Sequence, residues 1–240
     1  MRKKMKHAIL TFLLLGLALS TALLAYLHFF AENEDDLSGT WTAELDMTER
    51  AAVTALDWLQ DIEGITVSLE DMEQHMRELT VQVSLEMEKT DRSAGTFQCN
   101  IEPESYETCY QAVYEAFAEC FRELLGERLR MAGYEGSTEQ EAVEELVTRT
   151  FGMSTVSYLM SCGPALLPSI EELQALYDGS GTYEIADGVL TRRVEAGEAV
   201  ITKEERYIRQ GGELILTGEA GEAFSGGFFE LYPVVYILEQ

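Results

Sequence analysis

LSGTWTAELDM, residues 37–47, decides how the rest of the chain is read. From Trp41 onward the stretch alternates, with Trp41, Ala43, Leu45 and Met47 on one side and Thr42, Glu44 and Asp46 on the other. A period of two is the signature of a half-buried strand. The strand starts abruptly after an apolar segment and an acidic tether containing Glu32, Glu34, Asp35 and Asp36. Trp41 therefore stands at the beginning of the folded part.

The same alternation returns further along. LTVQVSLEME, residues 79–88, places Leu79, Val81, Val83, Leu85 and Met87 on one face, and after a turn around Asp91 to Gly95 the chain returns through Thr96 to Ile101. That is a hairpin. From Gly181 on, alternating runs are separated by Asp187-Gly188, Gly211-Gly212 and the glycines between 218 and 227, and these dipeptides supply the backbone angles of tight turns. The last run is LYPVVYILEQ. Together these make seven or eight strands. A lone hairpin is marginal in water, whereas eight strands suffice to curl up and hide their edges.

Between the strands the period changes to that of a helix. Thr48 is placed to cap a short helix with Ala52, Leu56 and Leu59 on its apolar side, and Ser68-x-x-Asp71 resembles a capping box for another from Leu69 to about Glu78. From Pro103 a wide stripe of Tyr106, Tyr110, Val113, Phe117, Phe121, Leu124 and Leu125 predicts a long helix ending near Gly133. Residues 137–150 and 155–177 read as further helices, broken at Gly163-Pro164 and Pro168. The class is α+β: an antiparallel β-barrel or strongly curved sheet over residues 32–240, with a helical insert at 104–178.

Residues 1–31 read as a basic flank and a membrane anchor. Arg2, Lys3, Lys4 and Lys6 precede an apolar run of 23 residues, Ala8 to Phe30. At about 1.5 Å per residue in a helix, the run reaches the roughly 30 Å of a bilayer core. Basic residues before it and acidic residues after it direct the C-terminal domain outward. The alternative is a signal peptide cut near Ala22, which would leave a secreted chain with the apolar stub LLAYLHFF.

All 43 acidic residues follow Ala31, with 13 of the 17 Lys and Arg, so the outer part carries a net −30. Such a surface repels phosphate backbones and anionic headgroups, which excludes nucleic acid and peripheral lipid as partners. His7 and His28 fall in the N-terminal segment, leaving His75 as the single outer histidine. No Ser-His-Asp or Cys-His set can be assembled around it, and its helical carboxylate neighbours Asp71 and Glu78 are ordinary surface spacing. No phosphate-cradling loop follows a strand. The expectation is a module with no catalytic residues, cofactor or metal, whose partner is a small apolar ligand or an envelope protein.

Cys99, Cys109, Cys120 and Cys162 are all in the outer part. Cys109 and Cys120 lie eleven residues apart on one helix, about 16 Å, so they cannot bond to each other. Two connectivities remain, 99–109 with 120–162, the preferred one, or 99–120 with 109–162. Four buried free thiols are the alternative.

Gly39-Thr40-Trp41 and the hairpin rhythm of the closing strands resemble the lipocalin and calycin group. The resemblance implies that the Trp plugs one end of a barrel, covered by an Arg from the last strand. Residues 234–240 contain no Arg, so Arg192, Arg193 or Arg209 would have to serve from another strand. Gly181-Thr182-Tyr183 and Tyr232-Pro233 extend the likeness to uncharacterised membrane-attached outer proteins of Gram-positive anaerobes, in which Trp41 and Tyr183 would be structural residues. The first strand should then lie beside residues 234–238.

Overall fold

The computed structural model describes residues 20–21, 36–60, 67–196, 199–219 and 233–239. The chain forms two compact units, Met1–Leu37 and Ser38–Gln240. Ser20, Thr21, Asp36 and Leu37 are the described residues of the first, so the expected anchor from Ala8 to Phe30 and the cleavage site near Ala22 lie essentially outside the described residues. Among those residues no helix is long and apolar enough to cross a membrane.

The second unit is a closed antiparallel barrel of eight strands. They are β1 (Gly39–Asp46), β2 (Thr80–Asp91), β3 (Ala94–Ile101), β4 (Gly179–Ala186), β5 (Val189–Ala196), β6 (Ala199–Gln210), β7 (Glu213–Glu219) and β8 (Val234–Leu238). Each pairs with the next, and β8 returns to β1 through Trp41↔Leu238, Thr42↔Ile237 and Ala43↔Tyr236. Closure removes the two free edges that an open sheet of these strands would expose. The inward sides are the apolar phases of the alternation: Trp41, Ala43 and Leu45 on β1, and Val81, Val83, Leu85 and Met87 on β2, are all buried.

An up-and-down barrel sends successive connections to opposite ends. One end holds the tight turns at Arg92-Ser93, Asp187-Gly188 and Gly211-Gly212, together with Gly39 at the start of β1. The other holds the helical connections. Between β1 and β2 run α1 (Thr48–Gln60) and α2 (Leu69–His75); between β3 and β4 run α3 (Pro103–Met131), α4 (Gln140–Phe151), α5 (Thr155–Cys162) and α6 (Ile170–Tyr177).

Local signals explain most helix ends. Ser68 and Asp71 form the expected capping box, each side chain bonding the other's backbone N–H. α2 stops at His75, three residues early, and Glu78 takes a left-handed φ of 59° before β2 begins. At α1 the capping oxygen belongs to Asp46, whose Oδ1 accepts from the Thr48 amide at 2.8 Å, so Thr48 is not itself the cap. α3 starts against β2: Glu102 N–H donates to the Gln82 carbonyl and Gln82 N–H to Ser105 Oγ, both at 2.9 Å. Its stripe buries Tyr106, Val113 and Phe117, and Trp58 of α1 meets Phe117 edge-on at 5.7 Å and Phe121 at 6.1 Å.

Tyr106 of that stripe and Tyr114 beside it fasten the loop between α5 and α6. Tyr106 donates its hydroxyl to the Pro168 carbonyl at 2.9 Å and Tyr114 to the Pro164 carbonyl at 2.8 Å. Leu166 and Leu167, between these anchor points, are buried.

Candidate functional site

Trp41 has no exposed surface, and the Arg209 guanidinium lies over its ring, 5.8 Å from the centroid. Arg209 comes from β6, not from the last strand. Of the three arginines the resemblance left open, this one covers the Trp, at the end of the barrel that carries the tight turns. Gly39 makes room there: it has a φ of 135°, and a side chain on it would run into Leu238.

Toward the helical end the interior turns polar. Arg192 on β5 and Glu205 on β6 form a two-pronged ion pair, Nε to Oε2 at 2.6 Å and Nη2 to Oε1 at 2.7 Å. They are 8 % and 2 % exposed, so both charges are inside. Phe97 of β3 lies under the guanidinium, its ring centroid 5.5 Å away. Burial alone would lower the Arg192 pKa, but the Glu205 carboxylate outweighs it and holds the value above normal. Arg192 therefore stays charged at any ordinary pH.

Tyr236 of β8 and Cys99 of β3 lie beside this pair, close enough to bear on each other's ionisation. Burial raises both pKa values, and for the thiol it outweighs the nearby Arg192 charge. Cys99 is thus a protonated thiol, a packing group and not a nucleophile. Tyr177 at the end of α6 is pushed up to about 12, chiefly by burial. The α6 end is tied down on two sides: Lys203 Nζ donates to the Leu176 carbonyl at 3.0 Å, and Ile101 N–H donates to Asp178 Oδ1 at 2.6 Å.

A cleft opens between these groups, lined among others by Tyr177, Arg192, Lys203, Glu205 and Tyr236, with a volume of about 40 Å³. That holds a few waters, since one needs roughly 10–15 Å³. A drug-sized ligand needs at least about 300 Å³. The cleft lined by these described residues is too small for such a ligand.

The other expected site residues are placed as follows. Tyr183 is buried on β4, facing Gly95 of β3, where a side chain would collide with the tyrosine ring and with the Glu88 carbonyl. All four cysteines are free, so neither expected set of pairs is formed. Cys120 lies instead against Met72 of α2, sulfur to sulfur 3.4 Å. Cys99, Cys109 and Cys120 are buried, but Cys162 is exposed. Burial pushes Cys109 up to about 11 and Cys120 up to about 12. His75 faces Glu123 at 3.6 Å, and among the described residues no group of His, Cys, Asp or Glu is arranged to hold a metal.

The Arg192–Glu205 pair was not singled out from the sequence. Its signal was present: Arg192 and Glu205 occupy inward phases of two alternating strands, where a charge needs a partner of opposite sign. The chain matches no known protein-family profile, no curated protein and no solved structure.

Proposed function

We propose that the chain is a single-pass, membrane-anchored protein whose outer domain is a lipocalin-like barrel used as a filled scaffold for contacts with envelope proteins. The observation that carries this reading is the interior, where the ion pair, Tyr177, Tyr236 and their neighbours line a cleft of about 40 Å³. A carrier of apolar ligands would hold an empty apolar chamber instead of two buried charges. The anchor rests on the 23-residue apolar run and its flanking charges.

Native mass spectrometry of the full chain released from detergent tests the filled barrel. The expected mass is that of the bare polypeptide; a stoichiometric small-molecule adduct would make the barrel a carrier. Protease added to intact cells should digest the outer domain, and N-terminal sequencing of the membrane fraction should not begin at Leu23, where a cleaved signal peptide would place it.

A further inference from the structure

The cleft at the helical end brings two cations together. In the β5–β6 register Arg192 stands directly opposite Lys203. Both are on the inward phase of their strands, since Lys203 lies two residues from the buried Glu205, and both line the cleft. Like charges on facing positions repel, because their β-carbons are only about 4.5–5.5 Å apart. Glu205, on the diagonal, neutralises Arg192 through Nε and Nη2. Lys203 gives its Nζ to the Leu176 carbonyl at 3.0 Å, a neutral acceptor. Two cations against this one buried carboxylate leave a single positive charge at the floor of the cleft.

The remaining groups indicate what kind of ion fits. Nη1 is the edge of the guanidinium that Glu205 does not use, and the Lys203 ammonium has further N–H bonds to give. Tyr177 and Tyr236 complete the polar lining, and burial keeps both phenols protonated and able to donate. A site with a surplus of donors takes an acceptor, and one excess charge matches a monoanion. The cleft of about 40 Å³ has the room of a few waters, at roughly 10–15 Å³ each, and therefore of a carboxylate with a short tail. Leu176, Leu216 and Val234 give such a tail an apolar wall. Glu219, on the lining but exposed, is the adverse group.

We propose that this cleft binds a short-chain monocarboxylate, its oxygens shared between Lys203 Nζ and Arg192 Nη1. The proposal goes beyond the scaffold reading and does not rest on it, because a small polar ion is not the apolar cargo of a carrier. At an affinity of about 1 mM the ion exchanges freely with solvent, so a bare-chain mass stays the expectation of that reading whichever way this site is decided.

The test is a titration of the full chain in detergent with sodium acetate at constant ionic strength, followed by saturation-transfer NMR on the acetate methyl. Saturable binding with a Kd of about 1 mM is expected, and no saturation by about 50 mM would overturn the proposal. Inorganic phosphate, a larger ion with a second charge, should compete more weakly; equal or tighter binding of phosphate would refute the assignment to carboxylate. Lys203→Met should weaken acetate by about tenfold, the loss of one charge-assisted contact, while Lys203→Arg should largely retain it. A folded Lys203→Met chain with the original affinity would rule the site out. Glu219→Gln changes an exposed side chain and decides the matter even if the Lys203 variant is unstable. It should tighten acetate by about threefold, the scale of one exposed charge, and unchanged or weaker binding would count against the site.

Discussion

Trp41 and the Arg192–Glu205 pair are both buried in one barrel, yet they contribute in opposite ways. The indole removes a large apolar surface from water and carries Arg209 on its face. Trp41→Ala should cost about 3–5 kcal/mol, a large part of the roughly 5–15 kcal/mol of an ordinary domain. An unchanged thermal midpoint would contradict the plug. The ion pair offsets its own desolvation with little surplus. Glu205→Gln leaves the Arg192 charge buried without its carboxylate and should cost about 3–5 kcal/mol, whereas Arg192→Met with Glu205→Leu should be neutral or stabilising by up to about 4 kcal/mol. Chemical denaturation of the single and double variants measures both. A double variant as unstable as the single would mean that the pair is a net stabiliser.

Strands and helices divide the barrel between its ends, and the division is visible in which glycines matter. Gly95 is confined by the Tyr183 ring and the Glu88 carbonyl, so Gly95→Ala must displace the aromatic ring and also shift backbone of the β2–β3 hairpin. A loss of about 1–3 kcal/mol, the scale of an overpacked site, is expected, with reduced near-ultraviolet dichroism from the tyrosines. Gly95→Ala in a Tyr183→Ala background should remain costly, because the Glu88 carbonyl, a backbone atom nearer than the ring, still blocks the methyl; full relief would show that the ring alone confines the glycine. At this scale the alternating runs and the Ser68 capping box were legible because each depends on residues close in sequence. Asp46 as the cap of α1, and Trp58 as the partner of the α3 stripe, were not. Helix caps within two residues of each other compete on local geometry, and a half-apolar helix face does not name the element that will cover it.

Taken as one molecule, the domain keeps several acids neutral in its interior, and this sets an alkaline limit. Burial raises Cys109 from 9.0 to about 11, Cys120 from 9.0 to about 12, and Tyr114 and Tyr177 from 10.0 to about 12. These folded-state values lie above the unfolded ones. The unfolded chain therefore releases its protons first as pH rises, and stability that is complete below about pH 9 is lost progressively toward pH 11–12. The thermal midpoint should be level from pH 7 to 8.5 and fall by several degrees at pH 10.5. Thiol alkylation should follow it, with Cys162 reacting in the native state and the other three cysteines protected until unfolding. A midpoint that does not fall by pH 10.5 would contradict the buried thiols and phenols.

The sequence alone determined the phases of the strands, the helical block between β3 and β4, the place of Trp41 at the start of the barrel and the acidity of its surface. Each of these is periodicity, turn chemistry or charge, and none needs a contact between distant residues. Tertiary structure decided the rest: that Arg209 and not Arg192 or Arg193 covers Trp41, that Arg192 instead finds Glu205 thirteen residues away across a hairpin, that Cys120 packs on Met72 without bonding to Cys162, and that Ile208, Ile215 and Val235 form one row. Those choices depend on strand register and barrel closure. A shift of one residue in register would turn every side chain of a strand to the other face, and the closure that fixes the register is a property of the whole set of strands.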